Sequence, residues 1–478
     1  MNAHLWTSAE IAAATGGRCT GNWSATGVSI DTRTLNPGDL FIAIKGPTFD
    51  GHAFVTAALS QGAAGAVVHL PAGNEKSDFD RSHDRMVVVK DTFAALENLG
   101  RAARARTSAK IIAVTGSVGK TSTKEALKVA LGAQGETGAT AGNLNNHWGV
   151  PLSLARLPRT AKFGVFELGM NHPGEIAPLS NMVRPDVAVI TAVEAVHLEF
   201  FDSIDGIADE KAAIMAGLEP NGVVILPHDS ASYARLADAA TRYGCDKVAF
   251  GAEGDSDAVL VAWSLTSAGT QVAADIGGHR HTYEIGATGR HWAVNSVAVL
   301  AAVAAVGGDV GVGAAALAQL TAPAGRGAQR RVAGPNGIFT LIDESYNASP
   351  ASVRALAETL GAIEPGRGRR ILVLGDMLEL GVKADALHAG LAPALRAARI
   401  DSVFTAGPMM EHLHDALPRE MRGGHARDSA SLAPLVTRAV RANDVVAVKG
   451  SHGSKTGLVV SALAAMDARP GPRAANGH

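Results

Sequence analysis

The sequence predicts an α/β fold arranged in several domains, and three observations support that prediction. Short apolar, β-branched runs alternate with helical patterns along most of the 478 residues, which is typical of parallel sheets flanked by helices. A chain of this length is expected to form about two to four domains with full-sized cores. One apolar run leads directly into a glycine-containing loop and a helix, as in many sheets that bind nucleotides.

That glycine-containing loop is the most informative segment of the chain. Residues 111–114 are apolar and predict a buried strand, and a helical pattern extends from Thr121 to Leu131. In such a loop the backbone N–H groups surround phosphate oxygens, while the lysine reaches the phosphates and the hydroxyl suits Mg²⁺. Val114 stands where the usual spacing has a glycine, and the alternative is a turn that binds nothing. The loop residues are Thr115, Gly116, Ser117, Val118, Gly119, Lys120, Thr121 and Ser122.

Composition excludes several classes of protein. The 43 basic and 45 acidic residues nearly balance, so neither a nucleic-acid footprint nor a membrane-binding basic block is expected. Two distant cysteines, Cys19 and Cys245, indicate a reducing compartment rather than a disulfide framework. The N-terminal residues lack a signal-peptide pattern, and the apolar run 297–306 is too short to cross a bilayer. We therefore expect a soluble, cytoplasmic protein. We also expect a monomer, although composition does not determine the oligomeric state.

The patterns divide the chain into three predicted domains and a flexible tail. Residues 1–108 predict a small α/β domain, 109–322 a central parallel-sheet domain with the phosphate loop, and 323–466 a second doubly wound, Rossmann-like domain. Residues 323–327 are rich in proline and glycine and fit a hinge, and 467–478 fit a flexible tail. The strands expected in the two larger domains are 111–115, 163–168, 187–191, 223–227, 338–342, 371–374, 403–405 and 445–448, with a β excursion over 258–285.

Polar residues follow several of these strands, at the edge of a parallel sheet where ligands bind. Glu167 ends one strand and with Thr121 could hold Mg²⁺, although a helix cap or a surface carboxylate is the alternative. His197 follows another strand, and Lys211 lies on the next helix. The loop 143–146 could bind a polar substrate or be an ordinary turn, and the Asp31-Thr32-Arg33 cluster could bind an anion or be a surface ion pair.

The loop 115–121 resembles the ATP loop of the Mur ligases, and the resemblance extends over all three predicted domains. Within that family it is closest to the members that add D-alanyl-D-alanine, because Tyr346-Asn347-Ala348-Ser349-Pro350 matches their pattern. The Asp-Asn-Pro-Arg signature of relatives that add the third amino acid does not occur in the sequence. Further matching segments are 142–151, 166–176, 197–199, 209–211, 289–291 with Asn295, 343–350, 373–381 and 448–451.

The resemblance implies a role for each matching residue. Lys120 would bind the ATP phosphates, Thr121 and Glu167 one Mg²⁺, and His197 with a carbamylated Lys211 a second Mg²⁺. His291 and Asn295 would face the adenine, while Arg330 and Asp343 would close onto ATP from the third domain. Thr32, Arg33, Lys45 and Gly46 would bind the uridine diphosphate. The remaining substrate contacts implied are Asn143, Asn145, Asn146, Asn171, His172, Tyr346, Asn347 and Lys449.

The activity implied by the resemblance is an ATP-dependent ligation. ATP would phosphorylate the terminal carboxylate of UDP-N-acetylmuramoyl-tripeptide, and the amine of D-alanyl-D-alanine would attack the acyl phosphate. A folylpolyglutamate-type ligase is the alternative within the same class, and the segments 143–146 and 346–350 argue against it. A P-loop switch or motor is the alternative from another class. The sequence leaves open whether the third residue of the peptide is diaminopimelate or lysine.

Overall fold

The computed structural model describes residues 4–19, 21–46, 48–69, 84–196 and 198–468. In this part of the chain, three large sheets follow one another, and each of the three predicted domain ranges holds one of them. The α/β class expected from the sequence is therefore confirmed. The predicted residue His197 and residues 469–478 of the predicted tail lie outside the described residues.

The N-terminal sheet has the strand order β2-β7-β6-β5-β4 and is parallel except for β2, while β1 pairs with β3 in a separate ladder. A capping box begins α1, with the Thr7 side chain and Glu10 satisfying each other's backbone N–H groups. Its elements are β1 Trp6–Thr7, α1 Ser8–Thr15, β2 Arg18–Cys19, β3 Ser24–Ala25, β4 Gly27–Ser29, β5 Asp39–Ile42, α2 Val55–Ser60, β6 Gly65–His69, β7 Met86–Val89 and α3 Thr92–Arg106.

The central sheet has the order β16-β15-β14-β13-β12-β11-β8-β10-β9 and is parallel from β9 to β14. The predicted β excursion is its antiparallel edge, β14 to β16. Its strands are β8 Lys110–Thr115, β9 Thr137–Ala139, β10 Phe163–Glu167, β11 Val187–Ile190, β12 Val223–Pro227, β13 Asp246–Gly251, β14 Ala258–Leu265, β15 Thr270–Ile276 and β16 His279–Ile285. Its helices are α4 Lys120–Gly132, α5 Gly149–Ala155, α6 Ile176–Val183, α7 Ile204–Ala212, α8 Tyr233–Tyr243, α9 Arg290–Ala305 and α10 Val310–Ala316.

The C-terminal sheet has the order β17-β18-β22-β19-β20-β21, with only the β17–β18 pair antiparallel. Its strands are β17 Ala328–Gly334, β18 Gly337–Glu344, β19 Arg370–Gly375, β20 Ser402–Ala406, β21 Arg422–Ala426 and β22 Val445–Lys449. Its helices are α11 Pro350–Ala362, α12 Ala384–Ala389, α13 Ala392–Ala397, α14 Met410–Ala416, α15 Ser429–Ala439 and α16 Gly457–Ala464.

Side chains of the central sheet alternate between two apolar cores. Ile112 and Val114 of β8 pack on the side of α4 and α9, while Ile111 and Ala113 pack on the side of α5, α6 and α7. Burial on both faces explains why these strands appear in the sequence as continuous apolar runs. None of the helices in the described ranges combines the length and apolar character needed to span a bilayer.

The N-terminal and central units share a core through α5. Leu152 and Ala155 of this helix pack in the apolar cluster of the N-terminal unit, and the Trp6 indole donates to the Ala155 carbonyl at 2.9 Å. The Arg104 guanidinium of α3 donates to the Val183 and Arg184 carbonyls at the end of α6, at 2.7 Å each. These contacts bind the first two units into one body.

Candidate functional site

A cleft of about 990 Å³ lies at the carboxyl ends of β8 and β10, and residues from all three units line it. Its floor is the loop between β8 and α4, its sides come from α6 and α9, and its roof comes from the end of β18 and the start of α11. Clefts at this edge of a parallel sheet are the usual place for a ligand in α/β proteins.

The glycine loop forms the turn that a phosphate site needs. Gly119, with φ of 87°, begins α4, and Gly116 has φ of 148°. A Cβ on Gly116 would overlap the Thr191 hydroxyl, so this close approach requires glycine. Thr191, the residue after β11, in turn donates to the Val118 carbonyl at 2.6 Å. This hydrogen bond fixes the loop to the end of the neighbouring strand.

Glu167 connects the loop helix to the polar loop after it. Its carboxylate is only 1% exposed. It accepts from the Thr121 hydroxyl at 2.8 Å and from the Asn145 amide at 2.7 Å. A buried carboxylate and a hydroxyl within hydrogen-bond distance are a donor set suited to Mg²⁺, because that ion prefers oxygen ligands.

Lys120 is the first residue of α4 and lines the same cleft. Its ammonium donates to the Gly116 carbonyl at 2.6 Å. Burial lowers the pKa of Lys120; the Glu167 carboxylate opposes that shift, and the Arg326 guanidinium adds to it. The three side chains are therefore close enough to interact electrostatically, and two of them are cations facing the same cavity.

Lys211 is a buried lysine whose acidic neighbours are engaged elsewhere. It is 1% exposed on the inner face of α7, and within the described ranges its ammonium makes no hydrogen bond or ion pair. Glu210 accepts from the Gly174 and Ile176 N–H groups at 2.7 and 2.8 Å, and Asp209 pairs with Arg235 at 3.0 Å. Burial and the nearby Lys120 charge hold the pKa of Lys211 well below its usual range, although Glu210 opposes the shift.

His291 and Asn295 lie on the first turns of α9 and both line the cleft. The His291 Nδ1 atom is buried and has no hydrogen-bond partner in the described part of the chain. Burial lowers the pKa of His291, while Glu344 raises it and Lys449 lowers it. A Cβ on Gly119 would lie 3.1 Å from the Asn295 amide nitrogen, so the helix and the phosphate loop are in close contact.

The C-terminal unit brings Tyr346, Asn347 and Lys449, three of the substrate contacts implied by the resemblance, to the lining of the cleft. The Tyr346 hydroxyl accepts from the Asn143 amide at 3.0 Å, which joins two units directly. The Lys449 ammonium donates to Glu344 at 3.0 Å. Arg326 also lines the cleft, stacked 4.0 Å above the Tyr346 ring.

Sequence reasoning missed Arg326 and Glu344. The segment 323–327 is interpreted from its proline and glycine content as a hinge, and Arg326 stands within it. Two predicted ATP contacts are placed elsewhere. Arg330 pairs with Asp467 at 3.1 Å and is not among the described residues that line the cleft.

Asp343 is the other predicted ATP contact that the structure places outside the cleft lining. Its carboxylate accepts from the Gly325 N–H at 3.0 Å and from the Ser345 hydroxyl at 2.6 Å. Asp343 therefore holds the interdomain segment in place, and through it Arg326, rather than facing the cavity itself.

The remaining predicted contacts in the central unit line the same cleft. Asn143, Asn145, Asn146, Asn171 and His172 are all among its lining residues. The side-chain Oδ1 atom of Asn146 accepts from the Trp148 and Gly149 N–H groups, just before α5 and at its first residue. The backbone N–H groups of Asn171 and His172 donate to Glu175. The His172 ring also lies 3.6 Å from the Glu175 carboxylate and packs against the Phe200 ring, with centroids 4.6 Å apart.

The predicted contacts in the N-terminal unit lie apart from the cleft lining. Arg33 forms an ion pair with Asp31 at 2.6 Å, and its side chain is 87% exposed, which matches the plainer of the two interpretations of that cluster. Thr32 lies beside this pair, and Lys45 is exposed. A Cβ on Gly46 would touch Phe49 and Trp148. The N-terminal unit instead reaches the cleft through Glu97 and Arg101 of α3, which no motif indicated.

Comparison with family models finds three matches along the chain. Residues 24–106 match the model of the Mur ligase family catalytic domain, residues 114–303 the Mur ligase middle domain, and residues 329–452 the Mur ligase glutamate ligase domain. These ranges follow the three sheets in order.

Relatives match over nearly their whole length. The UDP-N-acetylmuramoyl-tripeptide–D-alanyl-D-alanine ligase of Escherichia coli is 35% identical over 91% of this chain and 93% of the relative. The solved UDP-N-acetylmuramoylalanyl-D-glutamyl-2,6-diaminopimelate–D-alanyl-D-alanyl ligase of Acinetobacter baumannii has a TM-score of 0.78 and 28% identity, covering 96% of this chain and 98% of its own. The Thermotoga maritima MurF ligase, solved in complex with ADP, has a TM-score of 0.77 and 28% identity over 92% and 97%.

Proposed function

Because the chain belongs to the Mur ligase family, we propose that it is the ligase that joins D-alanyl-D-alanine to UDP-N-acetylmuramoyl-tripeptide with consumption of ATP. The observation that carries this proposal is the shared cleft, where the phosphate loop and Glu167 of the central unit face Tyr346 and Lys449 of the C-terminal unit. Relatives that bear this activity in their names match 91% and 96% of the chain.

The phosphate loop binds ATP in this proposal. Backbone N–H groups of the loop and the first turn of α4 receive the phosphates, and the Lys120 ammonium turns from the Gly116 carbonyl to the phosphate oxygens. Thr121 and Glu167 are the residues that would hold Mg²⁺, which supplies charge neutralisation at the phosphates. His291 and Asn295 face the adenine, where the unpartnered His291 nitrogen finds a polar group.

Lys211 carries a carbamate in this proposal. An unprotonated amine adds to carbon dioxide with loss of one proton, and the product has two oxygens that share one negative charge and suit a second Mg²⁺. Support comes from the burial of Lys211 and from the engagement of Asp209 and Glu210 with other partners. His197 is the other proposed ligand of this metal.

The reaction then proceeds in two steps. An oxygen of the tripeptide carboxylate attacks the γ-phosphorus of ATP and ADP leaves, which forms an acyl phosphate. The D-alanyl-D-alanine amine attacks the acyl carbon, loses a proton and expels phosphate, which forms the amide. Lys120 and Arg326 neutralise the negative charge that moves through these steps. We propose Arg326 for this task because it faces the cavity, and Arg330 stays a prediction for a more closed form.

The substrates occupy the rest of the interdomain space. In this proposal the path of the peptide and dipeptide is lined by polar residues of the central and C-terminal units: Asn143, Asn145, Asn146, Asn171, His172, Asn347 and Lys449. The N-terminal unit binds the uridine diphosphate through Thr32, Arg33, Lys45 and Gly46. The proposed domains are residues 1–108, 109–322 and 323–466. The protein is proposed to be a monomer that acts in the cytoplasm.

The test is phosphate release with each substrate omitted in turn. A ligase releases phosphate from ATP only when both UDP-N-acetylmuramoyl-tripeptide and D-alanyl-D-alanine are present, and the amide product appears in equal amount. Steady hydrolysis of ATP without either substrate would instead favour a P-loop switch. Glutamate-dependent release with a folate substrate would favour a folylpolyglutamate-type ligase.

A further inference from the structure

Two charged side chains of α3 line the cleft and have no part in the chemistry described so far. Glu97 and Arg101 stand four residues apart on one face of the helix. The Arg101 Nη2 atom lies 3.5 Å from Glu97 Oε2, and Arg101 Nη1 donates to Asn98 at 3.0 Å. With side chains 53% and 29% exposed, the guanidinium and the carboxylate both remain accessible to a ligand.

Apolar side chains of the neighbouring helix α6 form a wall of the same cleft. Pro178, Leu179 and Met182 of α6 line the same cleft. The two helices are held side by side, because Arg104, three residues after Arg101 on the same face of α3, donates to the carbonyls that end α6. The position of the charged pair relative to the apolar wall is therefore fixed by the fold.

The peptide of the substrate must pass this place. In the proposed function the uridine diphosphate binds the N-terminal unit, while the reacting carboxylate lies at the phosphate loop of the central unit. Helix α3 belongs to the N-terminal unit and borders the cleft that contains the phosphate loop. A peptide that joins the two sites then has α3 and α6 along one side of its path.

We propose that Glu97 and Arg101 bind the side chain of the third peptide residue and favour one that ends in both an ammonium and a carboxylate. This inference rests on the proposed function. The 2,6-diaminopimelate in the name of the Acinetobacter baumannii relative has such a side chain. Arg101 receives its carboxylate, Glu97 receives its ammonium, and its methylene groups lie against Leu179 and Met182. A lysine at the same place offers only an ammonium, so it contacts Glu97 alone.

The alternative is that the two residues only stabilise α3 as an ordinary ion pair four residues apart, which contributes little. The two interpretations differ in substrate selectivity. We would measure kcat and KM with tripeptide precursors that contain 2,6-diaminopimelate or lysine, at saturating ATP and D-alanyl-D-alanine. The variants are Arg101→Gln and Glu97→Gln, and the matched control is Arg242→Gln on the exposed face of α8.

For Arg101→Gln we expect the KM of the diaminopimelate precursor to rise about tenfold while that of the lysine precursor stays within about twofold, since one charge-assisted contact is lost. Glu97→Gln should raise both KM values, and the control should change neither. Equal changes for both precursors, or none, in the Arg101 variant would overturn the inference and leave the ligase proposal intact. A wild-type enzyme that makes no amide from either precursor would overturn the ligase proposal and this inference together.

Discussion

Glu167 shows how one buried residue organises a site. A carboxylate that is 1% exposed needs partners, and it has the Thr121 hydroxyl on one side and the Asn145 amide on the other. Through these two contacts the phosphate-loop helix and the polar loop 143–146 take a fixed relative position. The Lys120 ammonium is the nearby positive charge that offsets its negative one.

At this scale the first prediction concerns Lys120. Lys120→Ala should lower the ligation rate by at least about a hundredfold, because the phosphates lose a charge that the site keeps in place. The melting temperature should stay near that of the wild type, because burying the ammonium costs more than its attraction to Glu167 returns, as the lowered pKa of Lys120 indicates. Lys128→Ala, an exposed change on the same helix, is the control and should retain full activity. Near-normal turnover of Lys120→Ala would show that the loop does not serve ATP.

A second residue-scale prediction separates the two arginines. Arg326→Ala should reduce kcat roughly 10²- to 10³-fold, because Arg326 faces the cavity beside Lys120. Arg330→Ala should stay within about threefold, because it removes only a surface ion pair with Asp467. Steady-state kinetics with both purified variants provides the measurement. The reverse order of effects would restore Arg330 as the ATP contact.

At the scale of elements, α7 positions Lys211 by using each of its faces differently. Asp205 and Asp209 face outward to Arg235 of α8. Glu210 satisfies two N–H groups at the start of α6, where backbone donors lack partners within the helix. Ile207, Ala208 and Lys211 form the buried side. The helix thereby presents Lys211 to the interior, while the acidic residues of the same helix bond to other partners.

The prediction for this element is a modified lysine. Lys211→Ala should lose most of the activity and regain part of it when a short-chain carboxylate is added, because such an anion replaces the carbamate oxygens. In ¹³C-bicarbonate the wild type should give a carbamate signal by NMR that Lys211→Ala lacks. A wild-type spectrum without that signal, at full activity, would leave Lys211 an ordinary buried amine.

Elements with a strong apolar pattern could be predicted from the sequence, and the others could not. The central strands β8, β10, β11 and β12 are buried on both faces, so their continuous apolar runs place them within a residue or two. In the two larger domains, the strands that the sequence did not predict are β9, β13, β17 and β21. β9, β17 and β21 lie at sheet edges, where few side chains are buried, and their sequences are Thr-Gly-Ala, Ala-Gln-Arg-Arg-Val-Ala-Gly and Arg-Gly-Gly-His-Ala. β13 is an interior strand, but its first three residues, 246–248, are not buried.

The same distinction applies to the site. Local patterns and the family resemblance indicated the cleft residues that follow strands or begin helices, which are Lys120, Thr121, Glu167, His291 and Asn295. Arg326, Glu344, Glu97 and Arg101 reach the cleft only because separate units pack around it. No local pattern contains that information, and the family resemblance indicated Arg330 rather than Arg326.

At the scale of the whole molecule, the two interfaces between units differ in kind. The first two units share an apolar core through α5. The second and third meet through polar contacts such as Asn143 with Tyr346, and Arg290 with Glu358 at 3.9 Å. Small polar interfaces permit relative motion of domains, whereas a continuous core does not. Any motion of the molecule should therefore occur between the C-terminal unit and the other two.

We accordingly predict that the C-terminal unit rotates as a rigid body when nucleotide and the UDP substrate bind together. Residues 323–327 are the expected hinge, and closure would exclude water that could hydrolyse the acyl phosphate. Small-angle scattering should show a smaller radius of gyration with both ligands than with either alone. An unchanged radius, with binding of both ligands verified by calorimetry, would contradict closure.

The core shared through α5 has a consequence for the length of the substrate. Because the N-terminal and central units cannot slide past each other, the distance from a uridine site on the first to the phosphate loop on the second is constant. A precursor with too few amino acids would leave its carboxylate short of the γ-phosphate, however tightly its nucleotide were held. The fixed distance between the two sites would in this way select precursors by the length of their peptide, without a separate contact to each amino acid.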